Sequence, residues 1–432
     1  MCKTIGLLVT IALLGYEADI PARLARRFSN PTFSWKAPSP ALIETVSVQT
    51  RLQLSKLTPV KRLGWESGSR AERAFKVWIA PSQNNSWINN CLAVGLVISD
   101  EFHPSPESRR ALQEFANRLT DQDGVFREPL SSIEQAMAGV TLLALAEKEA
   151  NGRHAKAARS LAGFLVNRHP RTTTGTLPYS TERTQSLLVD TIGIACPFLA
   201  GAGVRFSDPE ALNLAVGQIT EFTDRAIDPS TGLPWHAYEA AGGPAYGILG
   251  WTRGAGWYAM GLVETLRHLP REHPQRQRLI SSLGQLSQAL TPLQLPNGLW
   301  RWCLSQPEGQ PDTSGSAMLA WALFRGVQMG VLDARSLATA QRATSGLANT
   351  TDHVGRIHQS LGECQGVGHY PRIFASYERC GRIASKRASG CPRPSRQRLL
   401  VKPKRMGDVL ARHPAGSAPS VILFQSSDFP NE

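Results

Sequence analysis

Between about residue 87 and residue 347, apolar positions recur at helical spacing in two alternating kinds of segment. One kind is apolar nearly all round and rich in small residues, and it covers 87–98, 133–146, 190–202, 254–266 and 314–330. The other is amphipathic, with one apolar stripe, and it covers 106–119, 152–167, 209–225, 275–289 and 334–347. Each amphipathic segment leads into a turn in which Gly is followed, directly or one position later, by an apolar residue. These turns are Gly124-Val125-Phe126, Gly175-Thr176-Leu177, Gly232-Leu233-Pro234, Gly298-Leu299-Trp300 and Gly355-Arg356-Ile357, with glycines 51, 57, 66 and 57 residues apart.

A unit of one apolar and one amphipathic helix cannot bury its inner helix alone, so neighbouring hairpins must pack together. Five apolar segments are evident, and a sixth is expected to start near Gly366. Six hairpins close a ring. The expected fold is therefore all-α, an (α/α)6 barrel of six hairpins with its glycine turns on one rim, where an active site would lie. An open helical solenoid used for binding is the alternative on spacing alone.

The formal net charge of +13 invites a nucleic-acid reading, but its distribution argues against one. Residues 1–80 carry 12 Lys/Arg against 5 Asp/Glu, and residues 381–432 carry 10 against 3, so the ends hold +14 and the body is left at −1. No nucleic-acid partner is expected. The seven cysteines show neither Cys-x-x-Cys nor zinc-type Cys/His spacing, so no metal, cofactor or disulfide framework is implied. Lys3 and the apolar run 5–16 have the shape of a secretory leader, too short to span a membrane. A periplasmic or secreted location is the expectation, with the cytoplasm as the alternative. The chain thus divides into a leader-like, poorly structured segment (1–75), a six-hairpin domain (76–380) and a basic tail (381–432).

The chemistry concentrates in Trp251-Thr252-Arg253-Gly254-Ala255-Gly256-Trp257, which runs directly into an apolar helix. Two indoles can stack on a sugar ring, and a guanidinium presents a planar fork that matches a carboxylate. That combination suits an acidic saccharide. The plainer use of the same residues is a turn packed by core Trp, with Arg253 in a structural ion pair.

Five runs occur in a telling order: Arg168-His169-Pro170-Arg171, Leu188-Val189-Asp190-Thr191, Pro197-Phe198-Leu199-Ala200, the 251–260 stretch, and Thr313-Ser314-Gly315-Ser316-Ala317-Met318. Together they resemble the unsaturated uronyl hydrolases, more narrowly glycoside hydrolase family 105 (unsaturated rhamnogalacturonyl hydrolases), with family 88 (unsaturated glucuronyl hydrolases) as the close relative. The resemblance implies a six-hairpin barrel acting on unsaturated uronic-acid oligosaccharides left by polysaccharide lyases. It implies hydration of the C4=C5 vinyl ether rather than attack at the anomeric carbon, so one carboxyl suffices where ordinary glycosidases need two. Asp190 matches the catalytic acid. His236, Trp251, Arg253 and Trp257 match substrate-binding positions, Glu134 stands where the family has an Asp, and Asp312 where it prefers Glu. Tyr179 and Trp302 fall on the expected rim as further contacts. Simpler roles stay open: Asp190 as a helix cap, His236 as a loop histidine, the two Trp as core.

After Arg372 the apolar helix that should complete the last hairpin does not appear, and Cys380-Gly381-Arg382 follows instead. The last hairpin therefore reads as incomplete. A catalytically inactive barrel that binds acidic saccharides is the competing function. A sugar epimerase on the same barrel would need paired rim histidines, which the sequence does not offer. Sequence does not assign the parent polysaccharide or the oligomeric state.

Overall fold

The computed structural model describes residues 35–55, 60–61, 82–147, 152–179, 184–360 and 367. Eleven α-helices lie among them: α1 (Pro40–Ser55), α2 (Trp87–Phe102), α3 (Pro106–Leu119), α4 (Ala138–Ala146), α5 (Arg153–Asn167), α6 (Asp190–Phe206), α7 (Pro209–Ala226), α8 (Thr252–His268), α9 (Arg276–Leu290), α10 (Thr313–Gln328) and α11 (Ala334–Asn349). A 3-10 turn, Ile133–Met137, leads into α4. The even-numbered helices form the inner layer and the odd-numbered ones the outer. Helix α8 is buried from Thr252 to Leu266 and α6 from Thr191 to Gly203, as segments apolar all round must be. The outer helices bury one stripe each, as α3 does with Leu112, Phe115, Ala116 and Leu119.

Side-chain oxygens of Ser105, Asp208 and Asp333 accept from first-turn amides of α3, α7 and α11, which fixes where those helices begin. Glycines let the inner helices approach. A Cβ on Gly193 of α6 would stand 2.5 Å from the Trp257 ring and 2.7 Å from its carbonyl oxygen on α8.

The five glycine turns share one construction: each glycine has positive φ, from 69° at Gly232 to 86° at Gly298. Four of them dock on the next outer helix. Gly124 meets Arg153 of α5, Gly232 meets Ala289 of α9, Gly298 meets Arg342 of α11, and Gly355 meets Thr45 of α1. Helix α1 is thus the outer helix that follows α11 around the ring.

Over residues 40–55 that departs from the expectation of a poorly structured segment over 1–75. Leu42, Val46, Thr50 and Leu54 repeat every four residues and are buried. The stripe was masked because Val48 and Leu52, on the opposite side, are exposed apolar residues that blur the polar face. Leu42, Ile43 and Val46 pack with Ala348 of α11, and the Trp35 indole N–H donates to the Asp352 carbonyl at 3.0 Å.

Two small antiparallel sheets add to the helical plan. One pairs β1 (Val60–Lys61) with β2 (Ser82–Gln83). The other orders β3 (Ser186–Leu188), β4 (Ala237–Glu239) and β5 (Ala245–Tyr246), with Leu188 opposite Ala237. Strands of two or three residues carry no readable period, so sequence did not announce them. Among the described residues no helix is long and apolar enough to cross a membrane. The leader-like run, the basic tail and the stretch after Arg372 lie outside the described residues.

Candidate active site

The inner helices α4, α6, α8 and α10 begin on one rim, where the 3-10 turn leading into α4 carries Glu134 and the first turns of the other three carry Asp190, Arg253 and Ser314. Helix N-termini are the positive ends of peptide dipoles, so several converging on one rim favour an anion there.

The second small sheet sets the central contact. Leu188 pairs with Ala237, and the Val189 N–H donates to the His236 carbonyl at 2.9 Å. Asp190 opens α6 two residues beyond the end of β3, and His236 precedes β4. The register therefore brings His236 Nε2 to 3.9 Å from Asp190 Oδ2, just outside direct hydrogen-bond reach. The Asp190 side chain keeps 17% exposure, whereas that of His236 keeps 1%.

From His236 the contacts continue without a break. Its ring centroid is 4.6 Å from that of Trp251, and the Arg253 guanidinium carbon lies 5.0 Å from the Trp251 ring centre. Arg253 Nη1 donates to Ser314 Oγ at 3.4 Å, and Ser314 Oγ donates to Asp312 Oδ1 at 2.7 Å. Asp312 also accepts from the Ser314 and Gly315 amides as the cap of α10. Burial, helped by the Arg253 charge, lowers the His236 pKa from its usual range to about 4, so the imidazole is neutral near pH 7. A neutral ring offers one N–H donor and one acceptor.

Glu134 and Tyr179 form a second pair, the Tyr179 hydroxyl donating to Glu134 Oε1 at 2.5 Å. The 3-10 turn bearing Glu134 packs against α6. Trp302 joins the start of α8 through its backbone, its carbonyl accepting from the Thr252 N–H at 2.9 Å. Its indole lies against Gly309, in a hairpin bridged between Arg301 and Pro311.

The two indoles of the 251–257 stretch are each only 2% exposed. Trp251 touches His236 and Arg253, whereas Trp257 packs into the seam between α6 and α8 against Gly193. Both support the residues beside them, and neither offers a broad open face for stacking. The structure thus joins Asp190, His236, Trp251 and Arg253 in one contact chain, with Trp302 beside it. Trp257 stands behind it.

Sequence reading did not single out Ser314, Tyr246 or Glu239. The Tyr246 hydroxyl is hydrogen-bonded to Ser186 and donates to Glu239 Oε1 at 3.1 Å, bracing β3, β4 and β5 just ahead of Asp190. Short strands give no signal for Tyr246 or Glu239, whereas an Asp directly before an apolar helix, as at Asp312, is a cap signal that points to the Ser314 turn. Among the described residues no group of three His, Cys, Asp or Glu side chains could hold a metal ion.

Residues 64–382 match Glycosyl Hydrolase Family 88, and the chain belongs to that family. It is similar to the unsaturated rhamnogalacturonyl hydrolase YesR of Bacillus subtilis, with 26% identity over 208 residues, 47% of this chain and 60% of that protein. It is also similar to an unsaturated 3S-rhamnoglycuronyl hydrolase of Formosa agariphila, with 32% identity over 124 residues, 28% of this chain and 32% of that one. The alignments thus span 60% and 32% of the lengths of these curated relatives. Among solved structures, a glycoside hydrolase of family 105 from C. acetobutylicum superposes with a TM-score of 0.60 at 21% identity, covering 73% of this chain and 84% of that one. That likeness supports the fold: the chain is a helical barrel of the kind shared by families 88 and 105.

Proposed function

We propose that the protein is a glycoside hydrolase that removes a 4,5-unsaturated uronic acid from the non-reducing end of lyase-generated oligosaccharides. The observation that carries this is the approach of Asp190 and His236, 3.9 Å apart at the start of an inner helix, in a chain of this family.

In this reading Asp190 protonates C4 of the ring. Positive charge then develops at C5 and the ring oxygen, where the carboxylate left on Asp190 stabilises it and takes a proton from the attacking water. Water adds at C5 to give a hemiketal that opens and releases the remaining saccharide. The neutral His236 supplies a hydrogen bond without competing as an acid. Arg253 provides the cation for the sugar carboxylate, and the converging helix N-termini reinforce it. Trp251 and Trp257 hold His236, Arg253 and α6 in place, while Glu134, Tyr179 and Trp302 contact the substrate from the rim. General acid–base help of this kind supplies about 10²- to 10⁴-fold in rate.

The test follows the ultraviolet absorbance of the conjugated acid on a panel of unsaturated disaccharides. The wild-type chain should consume the chromophore, and Asp190→Asn should bind the same sugar with turnover reduced by about 10²-fold or more. Binding by the wild-type chain without any loss of absorbance would instead favour a saccharide-binding barrel without activity. An Asp190→Asn variant that keeps most of its rate would remove Asp190 from the chemistry.

A further inference from the structure

On the outer helix α7, the buried stripe runs Ala211, Ala215, Gln218, Phe222, Ala226. One member is polar: Gln218 is fully buried at 0% exposure, in a stripe whose other members are apolar.

Its amide makes three hydrogen bonds. Oε1 accepts from the Leu177 N–H at 2.8 Å, and Nε2 donates to the Leu177 carbonyl at 3.0 Å and to Thr191 Oγ1 at 3.2 Å. Thr191 Oγ1 in turn donates to the Leu188 carbonyl at 2.6 Å. Leu177 belongs to the glycine turn that ends at Tyr179, the partner of Glu134. Thr191 follows Asp190 directly. One side chain, reaching inward from the outer layer, therefore ties the Tyr179 turn to the first turn of α6.

We infer that Gln218 is a positioning residue that locks the Tyr179–Glu134 pair and Asp190 into one geometry, rather than an ordinary core residue of α7. It touches no reacting atom. A side chain chosen for packing alone would not be an amide, because both ends of that amide are desolvated and must be satisfied. Here each finds backbone or hydroxyl on the two segments that carry site residues. The inference rests on the reaction proposed above for its kinetic arm and on geometry alone for its structural arm.

Two variants test it. Gln218→Met keeps length and volume and removes all three bonds. Gln218→Glu keeps the acceptor and, because burial favours its protonated form, one donor. With the unsaturated disaccharide that the wild-type chain turns over fastest, Gln218→Met should lower kcat roughly 10- to 100-fold while KM moves little, since misplacement by about an ångström has costs of that size. Gln218→Glu should recover a large part of that loss, more of it at lower pH. Hydrogen exchange followed by mass spectrometry supplies the arm that needs no activity. In Gln218→Met, exchange should accelerate in 172–179 and in 186–193 together, ahead of α7 itself. If kcat and KM stay at wild-type values while only the melting temperature falls, or if the two segments do not loosen together, the inference is overturned. If the wild-type chain consumes no member of the panel, the proposed reaction falls, and the exchange pattern alone decides the clamp.

Discussion

His236 carries the clearest physical signature of any single residue here. It is 1% exposed, its ring lies against Trp251, and both burial and the Arg253 charge oppose its protonation, which lowers its pKa to about 4. The consequence for stability has a definite sign. Between its ordinary value near 6.5 and about 4, the unfolded chain binds a proton at this position that the folded protein refuses, so stability rises with pH across that window and is lost as pH falls through it. Complete loss amounts to about 3 kcal/mol for this residue, a large share of a typical net stability of about 5–15 kcal/mol. His268 and His169 are shifted in the same direction, chiefly by burial, and add to the slope. The expected outcome is a melting temperature that declines between pH 6.5 and 4.5 in the wild-type protein and declines less steeply in His236→Gln. Equal slopes in the two proteins would show that His236 takes up its proton at an ordinary pH in the folded state.

Helices α6 and α8 share the most extensive contact among the described helices, and glycine makes that approach possible. Gly193 lies one turn from Asp190, and any Cβ there would meet the Trp257 carbonyl oxygen at 2.7 Å and its Cα at 3.0 Å. Backbone cannot rotate out of the way as a flexible side chain can, so α6 and α8 must part. Overpacking of this kind costs about 1–3 kcal/mol. Gly193→Ala should therefore lower the melting temperature and, because Asp190 is on the same helix, depress kcat as well. A variant with lowered stability but wild-type kcat would mean that the strain relaxes away from the rim. The helical elements were legible in sequence for the same reason that they pack: ten of the eleven helices show an apolar face or an all-apolar run at the 3.6-residue period. The motif at 251–257 announced Arg253 and its neighbours, whereas Asp190 came from the family resemblance, which its place at the start of an apolar helix fits. The 3.9 Å approach of His236 to Asp190 was not legible, because it is fixed by the pairing of Leu188 with Ala237 across 48 intervening positions in three-residue strands. Nor was the burial of Trp251 and Trp257, which depends on how far neighbouring helices close over an indole.

At the scale of the whole molecule the question is how a ring of hairpins closes. At the base, opposite the site, the C-terminal ends of α2 and α10 meet directly: Phe102 lies edge-on to Trp321 with centroids 5.8 Å apart, and Arg325 Nη2 is 2.6 Å from Glu101 Oε2. Arg267 of α8 joins the same carboxylate at 3.0 Å. Burial alone would raise the Glu101 pKa, but the bonds and charges of Arg325 and Arg267 outweigh it and hold it below its usual range. The outer layer closes through α1. Val46 has no exposed surface, packs with Leu42, Ile43 and Ala348, and lies where the Gly355 turn docks on α1. Arg51 on the same helix donates to Ser108 of α3 at 3.2 Å, so α1 bridges α3 and α11, the last outer helix of the chain order. If this bridge closes the ring, Val46→Asp should be far more damaging than a typical surface change, since an unpaired buried carboxylate costs several kcal/mol even after its pKa adjusts. Val46→Ala, which only leaves a small cavity, should cost about 1–3 kcal/mol. The decisive measurement is cooperativity. Denaturant unfolding of Val46→Asp followed by far-ultraviolet circular dichroism and by Trp fluorescence should show one transition at lower denaturant, because α1, α3 and α11 unfold with the barrel they close. Loss of α1 as a separate early step, with the remaining helices unfolding at the wild-type midpoint, would make α1 an appendage rather than the closing member of the outer layer.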